Sequence, residues 1–132
     1  MANAKKAKEL FVTAIDEVGT LGRLSCALAT AKVNILALQA FVIADKVHFR
    51  LVVDNAVLAM KKLKEIGFYV SLKDVIVVEF NNRPGVLAPV VKKFGSSGVD
   101  IVYCYGTTGD GEKANVVFST RDDEKAMKII NG

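Results

Sequence analysis

Tryptophan is absent from this chain, histidine occurs once, and cysteine and proline occur twice each. Each shortage closes off some chemistry. Two cysteines in 132 residues cannot build a disulfide framework. Cys26 falls in a helical pattern and Cys104 in a strand pattern, so both are expected to be buried free thiols of a cytoplasmic protein. The single histidine, His48, sits in mid-strand with no carboxylate near it in sequence and reads as an ordinary strand residue. There is no Cys-x-x-Cys, His-x-x-x-His or Gly-x-Ser-x-Gly spacing, so metal centres and acyl-transfer nucleophiles have no support. A phosphate-cradling Gly-x-x-x-x-Gly-Lys loop is missing too. The expectation is a protein with no catalytic residue, no metal and no cofactor.

Long apolar runs are also lacking. Val75-Ile76-Val77-Val78 and Ala88-Pro89-Val90-Val91 stop at charged residues, far short of the roughly 18 residues a membrane helix needs. The basic start, Met1 to Lys8, leads into no apolar segment with a cleavage site, so no signal peptide is expected. The net charge of +4 is mild. Its lysines are scattered over the termini and over surfaces that read as helical, which suits solvated faces better than a nucleic-acid footprint.

What is present is a globular composition, 52% hydrophobic and 24% charged, and a sequence that repeats itself. Gly19-Thr20-Leu21 and Val33-Asn34-Ile35 recur at one common spacing as Gly85-Val86-Leu87 and Val99-Asp100-Ile101. Ala59-Met60-Lys61 recurs one residue later than that spacing, as Ala126-Met127-Lys128, a residue having been gained in the second hairpin.

In the first copy, Phe11 to Ile15 reads as a strand broken by Asp16 to Gly19. Leu21, Leu24, Leu28 and Ala31 then fall on one face of a helix. Ile35–Ile43 and Val47–Val53 form a hairpin around Ala44 to Lys46. Asp54 or Asn55 caps a second helix whose buried face is expected at Val57, Met60, Leu63 and Ile66 or near neighbours. Gly67 stops it, and Phe68 to Val70 is a short fourth strand. The second copy runs from a strand at Val75 to Phe80 to a helix faced by Val86, Leu87, Val90, Val91 and Phe94. A hairpin with its turn at Thr107 to Gly111 follows, then a last helix opened by Asp122 or Asp123. It ends without a clear fourth strand.

Two βαββαβ units, residues 9–73 and 74–132, follow from this order. They imply an α+β fold of antiparallel sheets with helices on one face, in the ferredoxin-like manner. Each unit is small enough to be marginal by itself and leaves an open sheet edge. Association into a dimer or larger homo-oligomer is therefore expected. The missing strand of the second unit is expected from another segment or another chain.

The strand-to-helix loop Asn82-Arg83-Pro84-Gly85 carries the most chemistry. Pro84 fixes φ, Gly85 permits unusual backbone angles, and the helix that follows offers free N–H groups to an anion such as a carboxylate. Asn82 can donate and accept at its rim. Asp100 lies at the far end of that helix, as Asn34 does in the first copy, and could hold an ammonium group. The same residues also read as a tight Pro-Gly turn with polar residues at the helix ends.

Asn82-Arg83-Pro84-Gly85-Val86-Leu87 followed by Gly98-Val99-Asp100-Ile101 resembles the hallmark of ACT domains, and the repeat extends that likeness over residues 9–131. The resemblance implies a non-catalytic sensor that binds a small amino acid at module interfaces, with no cofactor. Its contacts carry over to Asn82, Gly85 and Asp100 in the second copy and to Asp16, Gly19 and Asn34 in the first. The first copy departs from the pattern, because Asp16 and Val18 stand where Asn and Pro are usual; Asp16 would favour an amine. A site combining the loop of one copy with the Asn or Asp of the other would reconcile the two. Val18 to Leu24 with Val33 to Leu38 is also similar to dissociable regulatory subunits of amino-acid biosynthetic enzymes. Two rivals on the same fold are weaker. An RNA-recognition module would use Tyr103 and Tyr105 but lacks the accompanying signature, and an acylphosphatase-type enzyme lacks its phosphate loop.

Overall fold

The computed structural model describes residues 2–132. The elements run β1 (Asn3–Ile15), α1 (Thr20–Thr30), β2 (Ile35–Ile43), β3 (Lys46–Val53), α2 (Ala56–Glu65), β4 (Tyr69–Asn81), α3 (Leu87–Ser96), β5 (Ile101–Thr108), β6 (Lys113–Thr120) and α4 (Asp123–Asn131). They form two compact units, Lys8–Lys73 and residues 2–7 together with Asp74–Gly132.

In the Lys8–Lys73 unit the strands lie in the order β2-β3-β1-β4, the ferredoxin-like order. β3 pairs antiparallel with β1 and β2, placing Leu10 opposite Leu51 and Val12 opposite Phe49. Those side chains meet Leu24 and Leu28 of α1 and Ala59 and Leu63 of α2 in one core. The Asn55 side chain caps α2 by accepting from Leu58 N–H at 3.1 Å.

Three expectations for this unit are corrected. α2 buries Leu63 as expected, with Met60 packed partly against the core, but Ala59 takes the other buried place while Val57 is 73% and Ile66 44% exposed. On α1, Thr20 rather than Leu21 is buried. Cys26 is exposed, as is Cys104 on β5, because neighbouring positions of those elements already fill the core.

The other unit takes its fourth strand from the chain's beginning. Its order is β5-β6-β4 and then the first residues of β1. Ala4 is buried in the same core as Ile76, Val78, Phe80, Phe94 and Phe118. Its backbone is clasped by one side chain of α4: Ala4 N–H donates to Asn131 Oδ1 at 2.9 Å, and Asn131 Nδ2 donates to the Ala4 carbonyl at 2.8 Å. Lys6 pairs with Glu124 of the same helix. Hydrogen bonding and charge from Glu124 hold the Lys6 ammonium above its ordinary pKa. Because the folded value is raised, this small contribution is complete below the unfolded lysine pKa and fades as pH rises through the folded one. Nothing in the pattern Asn3-Ala4-Lys5-Lys6-Ala7-Lys8 announces a strand, since only Ala4 points into a core. β4 likewise runs unbroken from Tyr69 to Asn81, where the sequence suggested two strands with a break between them.

Candidate functional site

Both units turn from their first strand into their first helix by the same device. In the second, Asn82 to Val86 bridge β4 and α3, and Gly85 holds φ at 86°. An L residue in that left-handed region costs about 1–2 kcal/mol. The position before α3, Val86, supplies no side-chain cap, so the first-turn N–H groups remain open to an anion. Pro89 in that first turn removes one donor. The loop is latched to the β5–β6 hairpin: Asn82 N–H donates to the Glu112 carbonyl at 2.8 Å, and Asn82 Nδ2 donates to the carbonyls of Gly109 and Gly111, both at 2.9 Å.

In the first, Gly19 is itself the cap position of α1, with φ 93° and again no side-chain cap. Asp16 N–H donates to the Asp45 carbonyl at 2.8 Å, the counterpart of the Asn82–Glu112 latch. Thr20 Oγ1 donates to the Glu17 carbonyl at 2.9 Å, tightening the turn.

Asn34 and Asp100 stand at the other end of their helices, about 15 Å away along ten residues of helix. Asn34 N–H donates to Asp54 Oδ1 at 2.9 Å, away from the loop of its own unit. The Asp100 carboxylate takes the Arg121 Nε–H at 2.9 Å, with both side chains well exposed. Neither is brought to the loop glycine of its own unit.

A cavity opens beside each loop. In the second unit it measures about 400 Å³ and is lined by Phe80, Arg83, Pro84, Gly85, Val86 and Pro89, with Ala2 from the added strand. In the first unit it measures about 330 Å³, and its polar lining is Thr13, Glu17, Arg23, Lys46 and Tyr69. Of the six residues singled out from the sequence, Gly85 lines a cavity and Asn82 braces the loop beside it. Asp16 and Gly19 shape the other loop without lining its cavity. Sequence reading missed Glu17, Arg23 and Lys46, which come from the β1–α1 loop, α1 and the first position of β3; their only shared signal was proximity to the loop and the hairpin turn.

His48 was also under-read. On β3 it stacks between Phe11, 5.5 Å away, and Phe41, 5.2 Å away, and its Nδ1 is 3.1 Å from Thr13 Oγ1. Arg50, the next residue on that face, lies over the Phe11 ring at 4.7 Å and the Phe41 ring at 5.5 Å. Tyr103 and Tyr105 stack on one another, centroids 6.4 Å apart, which occupies a face of each ring that a base would need. Among the described residues no group of three or more His, Cys, Asp or Glu side chains could hold a metal ion, and no helix is long and apolar enough to cross a membrane.

Against known proteins, residues 5–131 match the family model described as an ACT domain pair. A solved protein from Bacteroides thetaiotaomicron is 31% identical, with a TM-score of 0.89 over 98% of this chain and 89% of that one. The regulatory subunit of aspartate kinase from Thermus thermophilus superposes with a TM-score of 0.74 at 18% identity, covering 98% of this chain and 94% of that one. The corresponding Thermus flavus subunit gives 0.65 at 17% identity, with 98% and 94% coverage. No curated protein matches the chain.

Proposed function

This chain belongs to the ACT domain-pair family, and from that membership we propose that it is a non-catalytic regulatory protein that binds a small amino acid at its strand-to-helix loops. One observation carries the reading: the left-handed glycine, the uncapped helix start and the adjoining cavity recur together in both units. A helix start of this kind favours a carboxylate, and Glu17 at the rim of the first cavity suits an ammonium. Since Asn34 and Asp100 stand far from their own loops, any contact they make with such a ligand crosses a module boundary in an assembled oligomer.

The test is a thermal-shift screen of the proteinogenic amino acids. A ligand at 100 times its dissociation constant stabilises by about 2.7 kcal/mol, a rise of several degrees. Gly85→Val is expected to weaken the strongest hit at the second loop by tenfold or more. A Cβ at Gly85 meets nothing within 4 Å, so the damage comes from backbone strain that relaxes the loop into another shape. An unchanged shift in that variant would reduce the loop to a turn.

A second copy is the expected partner, through β2. This edge strand exposes Leu36 at 52%, Leu38 at 41%, Val42 at 51% and Ile43 at 61%, and an unpaired apolar edge is a template for another strand. Light scattering at micromolar concentration should find a dimer or larger, and Leu36→Lys with Leu38→Lys should return it to monomers. A wild-type monomer would end this assignment. The aspartate kinase regulatory subunits with the same fold favour a further reading, a subunit that docks on an amino-acid biosynthetic enzyme; co-purification with such an enzyme is its test.

A further inference from the structure

The two loop cavities differ in charge, and that difference bears on which amino acid is bound. Around the cavity of the Lys8–Lys73 unit stand two cations, Arg23 and Lys46, and one anion, Glu17, together with the hydroxyl-bearing Thr13 and Tyr69. The equivalent cavity of the other unit has Arg83 as its one charged group, among Ala2, Phe80, Pro84, Val86, Pro89 and Val90. The geometry points to the first cavity as a site for an acidic α-amino acid, an inference that rests on the amino-acid-binding role proposed above.

Glu17, Arg23 and Lys46 are exposed, and none of them forms an ion pair or side-chain hydrogen bond with another described residue. Three charged groups around one hollow, none compensated by the protein, complement a ligand of the opposite pattern. An aspartate- or glutamate-like molecule carries two carboxylates and one ammonium. Each of its charges then meets an opposite one, whereas a neutral amino acid leaves one cation unmatched and a basic one adds repulsion.

The groups are also held in place. Arg23 lies over the Phe68 ring with its guanidinium carbon 5.0 Å from the centroid, an arrangement that suits the planar guanidinium and limits its freedom. The Glu17 carbonyl is fixed by the Thr20 hydroxyl. The turn just before Lys46 is tied to the loop through the Asp16–Asp45 backbone bond. The hollow, about 330 Å³, is at the small end of the range for small-molecule sites.

The test is calorimetric titration of the full chain at 150 mM salt with L-glutamate, L-aspartate, L-glutamine, L-asparagine and L-lysine. The acids should bind at least about tenfold more tightly than their amides, and lysine should not bind at this site. Arg23→Gln and Lys46→Met should each erase the preference for acids. Glu17→Gln should weaken L-glutamate and leave binding of glutarate, which has no ammonium, unchanged. All three side chains are exposed, so the variants should fold, as far-ultraviolet circular dichroism can check. Amides binding as tightly as acids would overturn the ligand class while leaving an amino-acid sensor in place. Acid binding that ignores all three substitutions would overturn the location. If no amino acid bound to the wild-type chain, the amino-acid reading itself would fall, and this inference with it.

Discussion

A chain truncated to begin at Lys8 is expected to lose the cooperative fold of residues 74–132 while keeping that of residues 8–73. The reason is positional. The removed segment is the fourth strand of the second unit, lying beside β4, and it places Ala4 in the core at 4% exposure. A hydrogen bond made within a protein is worth about 0.5–1.5 kcal/mol net. The strand ladder and the two Asn131 bonds together therefore amount to roughly 5 kcal/mol, comparable with the whole stability of a small domain. Hydrogen exchange should rise across β4 and β6 of the truncated chain and stay low in β3. The single substitution Asn131→Ala isolates the clasp and should cost about 2 kcal/mol, because the Ala4 N–H and C=O lose their partner together. A truncated chain that melts like the full one would show the strand to be dispensable.

Arg50→Met should be strongly damaging to the first unit, at about 3–5 kcal/mol. Glu9 is wholly buried, and Arg50 reaches to within 3.7 Å of its carboxylate. The same guanidinium lies over Phe11 and Phe41, and both members of the pair make further interactions. Removing the cation leaves a desolvated carboxylate short of its compensation. Arg50→Lys should recover only part of the loss, since an ammonium cannot lie flat on two rings. Glu9→Gln combined with Arg50→Met should be less destabilising than the sum of the separate changes, as a thermodynamic cycle by urea unfolding would show. A cost under about 1 kcal/mol for Arg50→Met would mean that the pair is merely tolerated.

The pH dependence that the structure supports is slight. Lys6 is fully exposed, and salt screens its pairing with Glu124. What that pair does is orient the first strand against α4, at a place where only one apolar side chain marks the strand's inner face.

Much of the architecture was legible because it repeats. Gly19 and Gly85, with Asn34 and Asp100, set two frames in register, and within each frame the apolar spacing changes from alternation to helical period where the elements change. The helix caps at Asn55 and Asp122 stood where local rules put them, because a cap depends on residues three apart. The helix faces were less legible. Val57 and Leu21 satisfy the same spacing as their buried neighbours, and only close approach to the sheet decides which way a helix turns.

The candidate site was legible in its loops and hidden in its walls. Gly85 and Asn82 announce themselves within one short stretch. Glu17, Arg23 and Lys46 are unremarkable surface charges until α1 and the β2–β3 turn bring them around one hollow.

By itself the sequence determined the duplication, the βαββαβ order and the left-handed loop glycines, all of which follow from local spacing and backbone sterics. Only the tertiary structure decided that a lysine-rich first segment completes the second unit, and that three scattered charges share a cavity. Both depend on contacts between residues far apart in the chain, on which local pattern has no hold.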